Sequence, residues 1–463
     1  MTWFVARTYF DTIRPVYRAS RLLLVHFTTI DFSARTVHRS LTDLVCFVLA
    51  ALLDVYSASC GLRAILAFLS LTDSVLVNVG TYGATVLCCL FAVTVPWWNN
   101  YNGFVIFELY NNIARCSDEL LVLGLTVNHR RKFVLATVYV TYFVSLPFLV
   151  LLTYSYAPSL FKWVGMDRLY TDFRSTFAFA RMLLILCLCN CYSSLTLLSL
   201  RTHFKLLNEA ICKYFPTSVQ TQASHVGDVP STQRLIQTLA KLHERLSNTV
   251  QLFNHCFSMQ YAVLMWAGYA FTIFSAFFLI HSYTTDVTAE MRWLSRTNMV
   301  LDGLFVFYIV EFMALASVVN SECSRTVVVI HKVIAYGRFE KRVLKELRTF
   351  SQQLSHHSPR ITCHLYDFNW ELFYRVDICH PLKTCLIIKL FFDRWPARSR
   401  QGRDSGRMIF RVIWQPSRLK AFYVSSSKDQ NCTPPRVKGL VCVCVRLCGK
   451  GQPQNYSAEK RKC

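Results

Sequence analysis

Apolar residues along this chain gather into six long runs, at 41–59, 75–95, 134–157, 176–200, 257–281 and 298–320. Each is close to the ~20 residues that an α-helix needs to cross a bilayer core. Polar and basic residues collect in every second connection. With the N-terminus inside, the segments 1–40, 96–133, 201–256 and 321–374 hold 24 Lys and Arg, whereas the outer connections 60–74, 158–175 and 282–297 hold 6. Lys and Arg are retained on the cytoplasmic side of membrane spans, so this asymmetry predicts an inside N-terminus. The first 40 residues make the point alone, with Arg7, Arg14, Arg18, Arg21, Arg35 and Arg39 beside only Asp11 and Asp31. No short apolar leader precedes the first run, which is expected to act as the signal anchor. The pattern predicts an all-α, polytopic membrane helix bundle.

The inner connections also carry helical periodicity. In 201–256, a loop-forming stretch from Pro216 to Pro230 is followed by Thr232, Leu235, Leu239, Leu242, Leu246 and Val250 at helical spacing, leading directly into the fifth run. Val327, Ile330, Val333 and Ile334, then Val343, Leu344 and Leu347, repeat the pattern after the sixth run. Such stripes predict helices that extend beyond the membrane and pack on one another; amphipathic helices lying on anionic lipid are the alternative.

Composition agrees: 53% of residues are hydrophobic and only 17% charged. The net charge of +23 suggests nucleic acid until its distribution is considered. The stretch 394–463 holds 16 basic and 3 acidic residues, so it supplies +13 of the total, and no nucleic-acid partner is expected. Six of the 19 cysteines, Cys46, Cys88, Cys89, Cys187, Cys189 and Cys191, lie in the apolar runs, where a small polarizable side chain packs between helices. Cys187, Cys189 and Cys191 alternate and cannot share one helix face, and His356, His357, Cys363 and His364 match no zinc spacing. No metal and no cofactor are expected. There is no Gly-rich phosphate loop, no His-Glu-x-x-His pattern and no serine elbow, which argues against an enzyme.

Two segments carry a family likeness. Residues 242–257, LHERLSNTVQLFNHCF, and 350–374, FSQQLSHHSPRITCHLYDFNWELFY, resemble the approaches to the fifth and last spans of the insect gustatory receptors. The matching positions in the later segment are Phe350, Ser351, Gln353, Leu354, Asn369 and Leu372. The resemblance covers 1–374 in span order. It implies a seven-helix subunit of a ligand-gated cation channel in the plasma membrane, a homo- or hetero-tetramer with other receptor subunits, and a tastant pocket in the outer half of the helices.

The likeness then stops. Family members end in a pore-lining span bearing Thr-Tyr, five mostly apolar residues and Gln-Phe, whereas Tyr374 here is followed by RVDICHPLKTCLIIKLFFDRWPARSRQGRDSGR. The apolar core at 385–392 is short. Lys383 and Lys389 would each cost about 2.5–3.5 kcal/mol at the bilayer centre, against a gain of about 0.3–0.6 for each Leu, Ile or Phe. The expected seventh span is thus missing or replaced. The run VCVCV at 441–445 is what an alternating GT tract yields on translation, so 375–463 reads as translated non-coding sequence. The chain accordingly divides into an inner segment 1–40, a transmembrane bundle 41–320 with its long inner loop 201–256, a helical anchor region 321–374 and a basic irregular tail 375–463.

Ionizable residues inside spans are costly and therefore candidates for function. Arg181 and Asp302 fall at nearly equal depth near the outer ends of the fourth and sixth spans, and are expected to pair as a clasp or as the polar floor of a ligand site. Glu311, near the middle of the sixth span, is expected to face protein. A pocket for small organic molecules needs apolar and aromatic walls, which the outer halves offer in Tyr82, Tyr154, Tyr156, Phe179, Phe274, Phe277, Phe278, His281 and Phe305. The alternatives to a chemosensory channel are a non-conducting structural subunit without a pore helix and a secondary transporter; the latter should show internal repeats, and none is clear.

Overall fold

The computed structural model describes residues 6–69, 75–164, 173–218, 229–284, 289–356, 359–362 and 368. These all lie within the first unit, Met1–Leu390. Asn369, Leu372, the replaced seventh span and the tail 375–463 lie outside the described residues.

The described residues fold into a helical membrane bundle. In order they form α1 (Tyr9–Leu22), a hairpin of β1 (Thr29–Asp31) and β2 (Thr36–His38), α2 (Leu41–Leu69), α3 (Val75–Tyr101), α4 (Gly103–Val122), α5 (His129–Val164), α6 (Phe173–Tyr214), α7 (Val229–Thr284), α8 (Ala289–Tyr336) and α9 (Lys341–His356). Five of these helices, α2, α3, α6, α7 and α8, are long and apolar enough to cross a membrane. The third apolar run, 134–157, falls within α5, where the side chains of 150–164 lie outside the described residues.

Burial separates lipid-facing helices from the core. On α2, Leu44, Val45, Val48, Leu49, Leu52, Val55 and Tyr56 are all exposed, the side a helix presents to acyl chains. The opposite case is α6, which packs against α2, α3, α5, α7 and α8. Ile185, Cys187, Leu188, Cys191, Leu197 and Leu200 on it are fully enclosed. The cysteines alternate yet are all buried, because this helix is surrounded on every side and small side chains let its neighbours approach.

The helices continue well past membrane thickness. α7 runs unbroken for 56 residues, about 84 Å at the standard rise. Its Leu239, Leu242, Leu246 and Val250 are buried. Ile330 and Val333 of α8 and Val343, Leu347, Phe350 and Leu354 of α9 are buried as well, so these stripes form a helical core rather than a lipid-bound surface. The family-like residues find their reason here: Phe350 meets His243 edge-on at 6.0 Å, Leu354 is enclosed and Ser351 Oγ lies 2.9 Å from His331 Nε2. Gln353 stays exposed.

The N-terminal segment is a structured strut, with a hairpin that periodicity does not announce. α1 starts with a reciprocal capping box between Thr8 and Asp11 and packs on α4, α5 and α6. In the hairpin Thr29 pairs with His38 and Asp31 with Thr36. Its turn is set by Asp31 Oδ1 accepting from the Ser33 and Ala34 amides, with Arg35 at φ +52°. The Tyr17 hydroxyl donates to Thr28 O and accepts from Ile30 N, both at 2.9 Å, which fastens the hairpin to α1.

Candidate functional site

One helix face each from α3, α6, α7 and α8 closes around an apolar cavity of about 60 Å³. Phe179, Met182, Leu183 and Leu186 stand on one face of α6, following the i, i+3, i+4, i+7 rule. Leu264, Ala267 and Phe271 face them from α7, Leu301 and Phe305 from α8, and Thr85, Cys88 and Phe91 from α3. Phe271 and Phe305 contact at 5.5 Å. The only oxygen-bearing side chain in the wall is Thr85, with Cys88 as a weak donor. Such a lining recognises shape and apolar surface, with one or two directional contacts.

The free volume is below the ~150 Å³ that holds a benzene ring in a rigid protein interior. A ligand must therefore displace side chains, and Met182, with three rotatable bonds, is the wall group best suited to move. Its sulfur lies 3.8 Å from Cys89 Sγ, and its Cε touches the Cβ position of Gly61. Motion of Met182 is thereby coupled to α2 and α3.

Of the residues expected from sequence to contact ligand, Phe179 and Phe305 line this cavity. Tyr82 points outward from α3 with 40% of its surface exposed. Phe274 packs on α3 where a Cβ on Gly80 would come within 1.9 Å of its ring, so it serves helix packing. Phe278 is buried away from the cavity, and His281 stacks on Phe277 at 6.2 Å. The side chains of Tyr154 and Tyr156 lie outside the described residues. Cys88, Met182, Leu186 and Leu264 also line it without any aromatic or charged cue in the sequence, and Phe271, an aromatic in the outer half of the fifth run, joins them.

The expected Arg181–Asp302 pair does not form. Arg181 Nε instead donates to Asp54 Oδ1 on α2 at 2.8 Å, with both side chains almost completely buried. Its two terminal nitrogens donate to the carbonyls of Leu23 and Leu24 just past α1. Equal depth does not ensure equal facing: Asp302 turns toward α7 and accepts from Thr272 Oγ1 at 2.9 Å. The fork of Arg181 satisfies a carboxylate and the end of α1, whose carbonyls carry the negative pole of the helix dipole. Glu311 also faces protein: its carboxylate accepts from Tyr139 Oη on α5 and Asn190 Nδ2 on α6, both at 3.0 Å. Asn190 Oδ1 in turn accepts from Tyr261 Oη on α7 at 2.9 Å. A single carboxylate thus ties four helices together in the middle of the bundle.

Comparisons with known proteins agree with this architecture. The model of the family described as 7tm Chemosensory receptor matches residues 13–376. The insect olfactory receptor OR5 from Machilis hrabei has a similar fold, with a TM-score of 0.52 at 13% identity, over 82% of this chain and 98% of that one. Its structure in complex with eugenol gives a TM-score of 0.57 at 13% identity, over 83% and 99%. No curated protein matches the chain by sequence. With the family match spanning most of its length, this protein belongs to the 7tm chemosensory receptors.

Proposed function

We propose that this protein is the gustatory type of chemosensory subunit, detecting small organic tastants and gating cations across the plasma membrane. The carrying observation is the apolar, phenylalanine-walled cavity between α3, α6, α7 and α8. A receptor of similar fold has been solved with eugenol bound. The gustatory assignment rests on the FSQQL segment, and the inside N-terminus on the Lys and Arg asymmetry of the connections. The subunit is expected to work in a homo- or hetero-tetramer.

The test is a thermal-shift titration of the purified chain with a panel of small aromatic and sugar-like tastants, paired with current recordings. Binding should weaken about tenfold, or ~1.4 kcal/mol, in Phe305→Ala and hardly at all in Tyr82→Ala. If no compound of either class stabilises the protein and none evokes current, the reading fails.

A second reading applies to the form of the chain given by this sequence. The family match ends at residue 376, beside Tyr374, where the family-like residues end. A product with Lys383 and Lys389 in its last apolar stretch is a non-conducting subunit that can still bind ligand. Sequencing the 3′ end of spliced message from gustatory tissue separates the two. A Thr-Tyr, apolar, Gln-Phe exon after Tyr374 restores the channel, whereas read-through into VCVCV leaves a regulatory subunit.

A further inference from the structure

A second cavity, of about 360 Å³, lies at the other end of α6, where α1, α5 and α6 meet. Its character is opposite to the first. Arg131 and Lys132 enter from the start of α5, and Arg201 and Lys205 from α6. Thr12, Asn128, Ser199 and Thr202 add hydrogen-bonding groups. Lys205 shares its charge with Glu209 at 3.7 Å, a half-exposed pair on the outer side. Lys132 is different: its Nζ is buried and has no hydrogen-bond partner, and His129 Nδ1 one turn earlier is buried and unpartnered too. Asp11 and Asp118 act electrostatically on His129; Asp118 accepts from Arg35 and Asp11 is engaged in the α1 capping box.

An ammonium held out of water with no counter-ion is expensive. A wall that gathers Arg131, Arg201 and Lys205 around it, beside the positive end of the α5 dipole, suits an anion. The cavity is also amphipathic. Leu135, Leu195 and Leu198 form one side, and the α5 face carrying Arg131 and Leu135 continues into exposed Val138. The positive-residue count places this end of the bundle at the inner leaflet, where phosphorylated lipid headgroups are found.

We propose that this cavity binds a phosphate-bearing anion, with Lys132 and Arg201 as its principal charged contacts and Arg131 and Lys205 at the rim. The phosphorylated headgroup of an inner-leaflet lipid and a soluble inositol phosphate present the same chemistry; the leucine wall favours the lipid. Burial alone draws the Lys132 pKa down to about 7, so near neutrality an arriving phosphate would also draw a proton from solvent onto Lys132. The site does not depend on the identity of the tastant.

The experiment uses the full chain in phosphatidylcholine nanodiscs. Thermal stability is titrated with short-chain phosphatidylinositol bisphosphate, with phosphatidylserine and with soluble inositol trisphosphate. Saturable stabilisation by the phosphoinositide is expected, weakened about fivefold by Lys132→Met or Arg201→Gln and roughly 25-fold by both. Arg348→Gln, on exposed α9 surface, should leave it unchanged. Saturation by inositol trisphosphate as well supports the site with a soluble source, and response to the lipid alone supports it with a membrane source. Lys132→Met removes an unpartnered buried cation and should fold at least as well as the parent; Arg131→Gln at the rim is a second variant with little folding risk. If neither phosphate probe stabilises the protein, or if the double variant binds with unchanged affinity, the proposal is wrong.

Discussion

Arg181 and Lys132 are both cations withdrawn from water within the same bundle, yet their surroundings differ completely. The Arg181 guanidinium finds all its acceptors within the protein: Asp54 Oδ1 from α2 and two carbonyls from the end of α1, although Asp54 Oδ2 is left without a hydrogen bond. Around Lys132 the protein offers further cations and hydroxyls but no acceptor in contact with Nζ. The cost of burying charge is met internally where the group holds the fold together, and is left open where something from outside is to bind. The strut α1 touches both places, since Tyr9 and Thr12 line the basic cavity and its last carbonyls rest on Arg181.

The sharpest way to break this contrast is at the clasp. Arg181→Met leaves Asp54 charged and buried, and should cost about 3–5 kcal/mol, seen as loss of monodisperse protein in detergent-based size exclusion. Adding Asp54→Leu should recover part of that loss but not all, because the Leu23 and Leu24 carbonyls remain unserved. Full recovery would mean that the N-terminal strut contributes nothing. In the apolar cavity, Leu186→Trp fills the space at an overpacking cost of about 1–3 kcal/mol. It should abolish the ligand-induced thermal shift while the phosphoinositide shift survives. If both shifts vanish together, the two cavities are not independent.

At the basic cavity the sign reverses. Burial lowers the folded-state pKa of Lys132 to about 7 from 10.5, so between those values the unfolded chain holds more protons than the folded one. Stability therefore rises with pH across that window, and the penalty is complete below about 7. Lys132→Met should accordingly melt higher than the parent at pH 6, by a margin that shrinks toward pH 10 in lipid free of phosphorylated headgroups. A margin that is flat with pH would show that Lys132 has a partner in solution. The smallest effect is expected at Thr8→Ala, which removes the α1 capping box for about 1 kcal/mol and should lower the melting temperature without altering either affinity.

The membrane helices were legible because their signal is collective: twenty apolar residues in a row outweigh any local preference. The long α7 was equally readable, since the stripe from Leu235 to Val250 keeps its phase into the apolar run. What escaped was azimuth. Depth along a helix follows from counting residues, so Arg181 was correctly seen as buried and costly, but its direction depends on how α6 is rotated against α2. Asp54 became its partner for that reason, and Asp302 turned to α7. The expected aromatics divide in the same way. Phe179 and Phe305 face the cavity while Phe274 and Tyr82 do not, and Met182 and Leu186 offered no compositional cue at all. The docking of the hairpin on α1 was unreadable because its tie, Tyr17 to Thr28 and Ile30, is made of single hydrogen bonds without periodicity.

The clasp at Arg181 also sets an order of events during synthesis. The carbonyls of Leu23 and Leu24 leave the ribosome some 157 residues before the guanidinium that receives them, and three helices, α2, α3 and α5, must be threaded in between. Until α6 is in the membrane, the N-terminal strut can rest on α4 and α5, but the carbonyls at its end have no guanidinium to receive them. Closure of the clasp, rather than packing of the strut, is therefore the step that waits for the fourth apolar run.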